Sequence, residues 1–109
     1  MPKSRIADLN HRLVLEYAQR KPDGSGGFTT TWLSLADVWA DITPRAGSES
    51  LIAGGIKGHV THDILVRPRP EIIPSRRFRD GPRLFHIHAI RALDRKGHRA
   101  ICTCEEINL

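Results

Sequence analysis

Three groups of side chains in this sequence have the residue types and spacing that chemistry needs. His59-x-x-His62 has the look of half a zinc site, and His86-x-His88 with Cys102-x-Cys104 supplies four zinc-type ligands. The third group is a run of arginines, Arg67, Arg69, Arg76, Arg77, Arg79 and Arg83, with only Glu71 and Asp80 as acids among them. Guanidinium forks suit phosphate and carboxylate equally.

Local geometry weighs against the metal readings. Residues three apart on a strand send their rings to opposite faces, so His59 and His62 do not converge. His86 and His88 share one face of a strand, as do Cys102 and Cys104, and register decides whether the pairs meet. With His88 opposite Cys104, four ligands share one patch of sheet. A slip of one residue puts both cysteines on the face of Phe85, Ile87 and Ala89, as small core fillers. That second register buries more apolar surface, so no metal and no other cofactor is assigned.

An enzyme is hard to build from this chain. It has no Gly-x-Ser-x-Gly elbow and no His-Glu-x-x-His. Gly24-Ser25-Gly26-Gly27 lies between strands, so it lacks the helix amino terminus that cradles phosphate. No catalytic residue is assigned. The arginine run has only Phe78 among its members for stacking on bases. It reads as a solvated basic face, a DNA contact or a contact for acidic protein surface.

The elements that position these groups read mainly as strands. The chain has 109 residues, 39% hydrophobic and 27% charged, enough for one globular domain over 1–109. Its formal charge of +5 lies wholly in the second half, since residues 1–55 balance six Lys/Arg against six Asp/Glu. No run approaches the ~18 apolar residues of a membrane span, and the start lacks the apolar run of a signal peptide. Close-spaced cysteines rarely bridge, so a disulfide framework is not expected and folding inside the cell is.

Residues 1–10 read as a polar arm. Alternation then predicts a strand from Arg12, a Pro22–Gly27 turn, a strand over 28–33 and another over 37–43 that ends at Pro44. In the last of these, Val38, Ala40 and Ile42 share one face and Trp39 takes the other. Residues 45–58 break the pattern and predict a long loop, with a short helical turn at 48–53. Strands follow over 59–67, 83–92 and 99–107, with a proline-interrupted connection over 68–75 and a hairpin turn at Asp80-Gly81. The expected fold is mainly all-β: a small antiparallel barrel or sandwich of about six strands, with a long loop and at most short helices.

The order of these motifs resembles the phage head–tail joining family, the stopper or head-completion proteins. The resemblance runs over about residues 9–107. It begins with Leu9-Asn10-His11-Arg12-Leu13-Val14-Leu15 and Pro22-Asp23-Gly24-Ser25-Gly26-Gly27. It continues through Trp32, Val38-Trp39-Ala40-Asp41-Ile42, Pro44, Gly47 and Glu49, then Val60-Thr61-His62-Asp63-Ile64-Leu65-Val66-Arg67. It ends with Arg77-Phe78, Gly81, Phe85-x-Ile87, Asp94 and Cys104-Glu105-Glu106. Leu-Asn-x-Arg-Leu-Val-Leu-Glu with Pro-Asp-Gly-x-Gly-Gly-Phe is also similar to the versions in gene transfer agents. Pro68-Arg69-Pro70 departs from the family, where Arg-Tyr often follows.

The resemblance implies a β-barrel subunit of a homo-oligomeric ring at the head–tail neck of a virion or phage-like particle, made in the bacterial cytoplasm. Its partners would be a portal or adaptor ring on the head side, a tail terminator or tail tube on the tail side, and packaged DNA in the channel, with no membrane. The family's channel loop matches Arg45–Gly58, so Arg45, Gly47, Ser48, Glu49, Ser50, Gly54, Gly55 and Lys57 are gating candidates. Trp39, Arg67, Arg69, Arg76, Arg77 and Arg79 are interface candidates. The arm 1–10 and the end Glu105–Leu109 are candidates for pairing with a neighbour. The alternatives are an adaptor ring, which would be largely helical, a tail terminator, a small nucleic-acid-binding barrel and a zinc-bound regulatory module.

Overall fold

Apolar and polar residues alternate through much of this chain, and the backbone follows the two-residue period. The computed structural model describes residues 9–53, 56–94 and 96–107, with the backbone alone described over 46–53 and 56–59. Six strands form: β1 (His11–Pro22), β2 (Phe28–Ala53), β3 (Ile56–Val66), β4 (Arg77–Asp80), β5 (Arg83–Ala92) and β6 (Ala100–Ile107). All pairs are antiparallel, and the order β1-β2-β3-β6-β5-β4 closes into a barrel. No helix occurs among the described residues. That matches the all-β expectation and runs against a helical adaptor. Residues 1–8 of the expected arm lie outside the described residues.

The inward faces make one core. Leu13 and Leu15 of β1, Val38 of β2, Ile64 of β3 and Phe85 of β5 meet there, and Ile72 of the proline-rich connection closes it. β4 and β5 join through Gly81-Pro82, with Gly81 at φ 59°. A positive φ at the first central position is what a type II′ turn requires, and glycine adopts it without strain. The negative φ needed next is the one the proline ring fixes.

Three irregularities depart from the alternation. The predicted strands over 28–33 and 37–43 are one strand, with Leu15 opposite Ala36 but Glu16 opposite Ser34. Leu35 is the extra residue of a β-bulge, and it turns to solvent. A straight 26-residue β2 would span roughly 85 Å, beyond the protein's longest extent of 53 Å, so the strand must bend. The second break lies between Pro44 and Glu49. Beyond it the ladder resumes from Glu49 opposite Val60 to Ala53 opposite Ile56. The predicted loop over 45–58 and its helical turn are therefore the paired stem of a β-hairpin. Proline cannot donate to a ladder, which explains a break at Pro44 but not an end to pairing. Gly54 and Gly55 lie outside the described residues.

The third irregularity settles the cysteines. Ile87 pairs with Cys104 and Ala89 with Thr103, leaving His88 as a bulge on β5. Cys102 and Cys104 point inward and are fully buried, as core fillers. Burial pushes the Cys102 thiol up to about 12, and that of Cys104 further. The histidines do not meet them: His86 lies 5.4 Å from the Trp32 ring, and His88 Nε2 donates to Glu105 Oε1 at 2.9 Å. The bulge also corrects the predicted face, because Ala89 is exposed while Ile90 packs on the core.

Closure rests on a short seam. β1 and β4 share three pairs, Val14 with Arg79, Leu15 with Phe78 and Glu16 with Arg77. Phe78 turns inward, so Arg77 and Arg79 turn outward on either side of Glu16. Arg77 Nε donates to Glu16 Oε1 and Arg79 Nε to Oε2, each at 2.7 Å. Trp32 covers the clamp, with the Arg77 guanidinium carbon 4.0 Å from its ring centroid. Glu16 and Arg77 are 4% and 7% exposed. Burial by itself would raise the Glu16 carboxyl, but the bonds from Arg79 and Arg77 outweigh it and hold the pKa below its ordinary 4.5.

Removing Glu16 leaves two guanidinium groups without their counter-ion, one of them buried. Glu16→Ala should cost about 3–5 kcal/mol and lower the melting temperature by roughly 10 °C or more. Unfolded glutamates take up protons first, so the clamp's stability is complete above pH 4.5 and lost as pH falls through the folded value. Thermal melts of wild type and variant at neutral pH check this; a difference of a degree or two contradicts it.

Candidate assembly surface

Val38 and Ala40 turn into the core, so Trp39 between them must face outward, and 56% of it is exposed. The register sets it opposite Arg12 of β1. Leu9 and Asn10, just before β1, then lie beside Asp37, Val38 and Trp39. Arg67 and Arg69, just after β3, complete the lining of an open groove of about 580 Å³. Three of the six interface candidates are thus brought together. Leu9, Asn10 and Asp37 were not foreseen, because only the ladder register shows that they share this groove.

The two arginines are held differently. Arg69 Nη1 donates to the Asp37 carbonyl at 3.1 Å and its Nη2 to Glu71 Oε2 at 3.3 Å. Arg67 is exposed and has no hydrogen-bond or ion-pair partner among the described residues. It also borders a second cavity of about 400 Å³ with Pro68, Gly97 and His98. The remaining arginines go elsewhere. Arg76 Nη1 donates to the Glu71 carbonyl at 2.6 Å and braces the proline-rich connection. Arg77 and Arg79 form the seam clamp, and Arg77 is buried there rather than presented.

The gating candidates belong to the β2–β3 hairpin. Arg45 Nε lies 3.2 Å from Asp63 Oδ2 at its base. Gly47 and Ser48 fall in the ladder break, while Glu49, Ser50 and Lys57 have backbone partners across the hairpin. The β1–β2 hairpin is a second arm. Beyond Glu16, β1 pairs with β2 alone among the described residues. Asp23 shapes its tip: Oδ1 accepts from Ser25 N at 2.7 Å and Gly27 N at 3.1 Å. Phe28, opposite Pro22 beside that tip, is 59% exposed, with the Arg20 guanidinium 4.4 Å from the ring centroid. The Asp-Gly-Ser-Gly-Gly run signalled this turn in sequence, but not that the paired strands leave the barrel.

A polar cluster beside the core was not legible at all. Arg83 donates to both oxygens of Glu106, at 2.8 and 3.2 Å, and stands over the Phe85 ring. Its Nη2 also reaches His62 Nε2 at 3.4 Å. A guanidinium only donates, so Nε2 accepts and Nδ1 carries the proton, donated to Thr61 Oγ1 at 2.8 Å. Burial, with Arg83 nearby, pushes the His62 pKa below 6.5 although Glu106 and Asp63 pull it up. His86 is also pushed below 6.5, by burial and then by Arg77 and His88.

Unfolded histidines accept protons near pH 6.5 and these two resist, so their contribution is complete above that value and lost as pH falls below it. Unfolding midpoints should hold steady above about pH 7 and drop by pH 5.5. His62→Gln or His86→Gln should flatten the drop in that window, apart from the Glu16 loss at lower pH. A flat wild-type profile contradicts the assignment.

The chain as a whole is similar to known proteins. A family model described as phage head completion protein matches residues 5–107. A chain in a structure titled "Virion of native gene transfer agent (GTA) particle" is 34% identical. It covers 96% of this chain and 98% of its own length, with a TM-score of 0.68. No curated protein matches. The match spans the barrel, both hairpins and the Trp39 groove together, and the chain belongs to the phage head completion protein family.

Proposed function

We propose that this chain is a structural head-completion, or stopper, subunit that joins head to tail in a phage or phage-like gene transfer agent. It closes the DNA-filled head at the neck and receives the tail. Family membership over residues 5–107 carries this reading and supports a structural rather than an enzymatic role. The whole chain, 1–109, acts as one connector domain.

Its subunits assemble as a homo-oligomeric ring between a portal or adaptor ring and a tail terminator or tail tube. A ring subunit needs a stiff body and arms that reach its neighbours, and the closed barrel with two hairpins supports that division. The edges of the β1–β2 hairpin that are unpaired among the described residues are open to strand addition from the next copy. The ends were expected to reach a neighbour as well, but Glu105–Ile107 are part of β6 in the barrel wall and Leu9 and Asn10 pack beside Trp39, so neither of these described stretches is an arm. The β2–β3 hairpin, with Arg45, Gly47, Ser48, Glu49, Ser50, Gly54, Gly55 and Lys57, projects toward the channel and helps retain DNA.

Particles made without this protein should appear in electron micrographs as full or leaking heads without tails. Normal tailed particles would contradict the role. Removing residues 47–57 should leave tails attached while nuclease-protected DNA per particle falls several-fold, and unchanged protection would remove the hairpin from DNA retention.

A further inference from the structure

The groove beside Trp39 sets two chemistries side by side. Its apolar part is Leu9, 8% exposed, and the open face of Trp39; Val38 borders it while its side chain packs into the core. Its rim is cationic, and the two cations are unequal. Arg69 is held by the Asp37 carbonyl and the Glu71 carboxylate, whereas Arg67 has neither kind of partner among the described residues. An arginine left in water beside an exposed tryptophan combines the two residue types most enriched where binding energy concentrates. Its fork takes one carboxylate in bidentate geometry.

We propose that this groove receives an acidic peptide segment of a neighbouring particle protein, seating an apolar side chain against Trp39 and a carboxylate on Arg67. The proposal rests on the head-completion reading and adds the chemistry of the partner. A nucleic acid suits the groove less well. Its backbone presents a charge at every nucleotide and calls for a run of available cations. Here two exposed arginines, Arg67 in the groove and Arg12 opposite Trp39, have no ion-pair partner among the described residues, fewer than a run, and the acid Asp37 shares the lining. The chain's own leading residues are also poorly matched, since Lys3 and Arg5 carry the same sign as Arg67 and Arg69.

Fluorescence anisotropy with the purified full chain tests this. The probes are a labelled decapeptide of glutamates around two central leucines, the same peptide with lysines for glutamates, and a ten-nucleotide oligothymidylate. The glutamate peptide should bind, and Arg67→Ala and Trp39→Ala should each weaken it by about tenfold or more. Arg91→Ala, an exposed arginine outside the groove, should leave it unchanged, and Trp39→Phe should keep part of the affinity. Circular dichroism melts confirm that each variant folds. No binding of the glutamate peptide, equal binding of the lysine peptide, preference for the oligonucleotide, or indifference to Arg67→Ala each overturns the proposal. Those failures reject the groove's partner alone, because the head-completion role is judged on whether particles lacking the protein carry tails.

Discussion

The Glu16 carboxylate, gripped by Arg77 and Arg79, holds the barrel at its weakest circumference. Every other neighbouring pair but β4 with β5 is joined by five or more residue pairs, while β1 meets β4 through three. A seam that short gains little from its ladder alone. Two charge-assisted bonds of 2.7 Å, shielded by Trp32, tie the strands where the ladder ends. Phe78 turns inward at the same place, so the clamp and the core hold the same four-residue strand from opposite faces. Without closure, β1 and β4 would present open edges, the liability that a barrel removes.

Much of the barrel was legible in the sequence because alternation is a direct report of facing. The Asp80-Gly81 turn and β5 at Arg83–Ala92 follow from local chemistry. The departures come from insertions of one residue, which alternation cannot register. Leu35 fuses two predicted strands by bending one, and His88 moves Ala89 out while Ile90 takes its place. The hairpin over 45–58 was hidden by glycine and serine, which argue for a loop unless a partner strand supplies the ladder. Charge was the least legible signal. The run from Arg67 to Arg83 reads as one basic surface, yet the fold sends its members to a groove, a brace, a buried clamp and a core-side cluster.

That redistribution sharpens how so small a chain serves a particle. Internal acids such as Glu16, Glu71 and Glu106 hold most of the run in ion pairs or bonds that stabilise the barrel. Five of the six arginines of that run are therefore committed within the fold, and Arg67, beside Trp39, has no such partner among the described residues. The arms are built from the same strands as the core, so a force on either hairpin is transmitted along β2 into the barrel wall.

The most direct measurement of the central claim is an electron-microscopic reconstruction of the neck of particles that carry this protein. The account predicts a ring of six-stranded barrels between head and tail, one per subunit, with the β1–β2 hairpin against a neighbouring copy and the Trp39 groove covered. A neck without such a ring, or barrels located elsewhere in the particle, would contradict it.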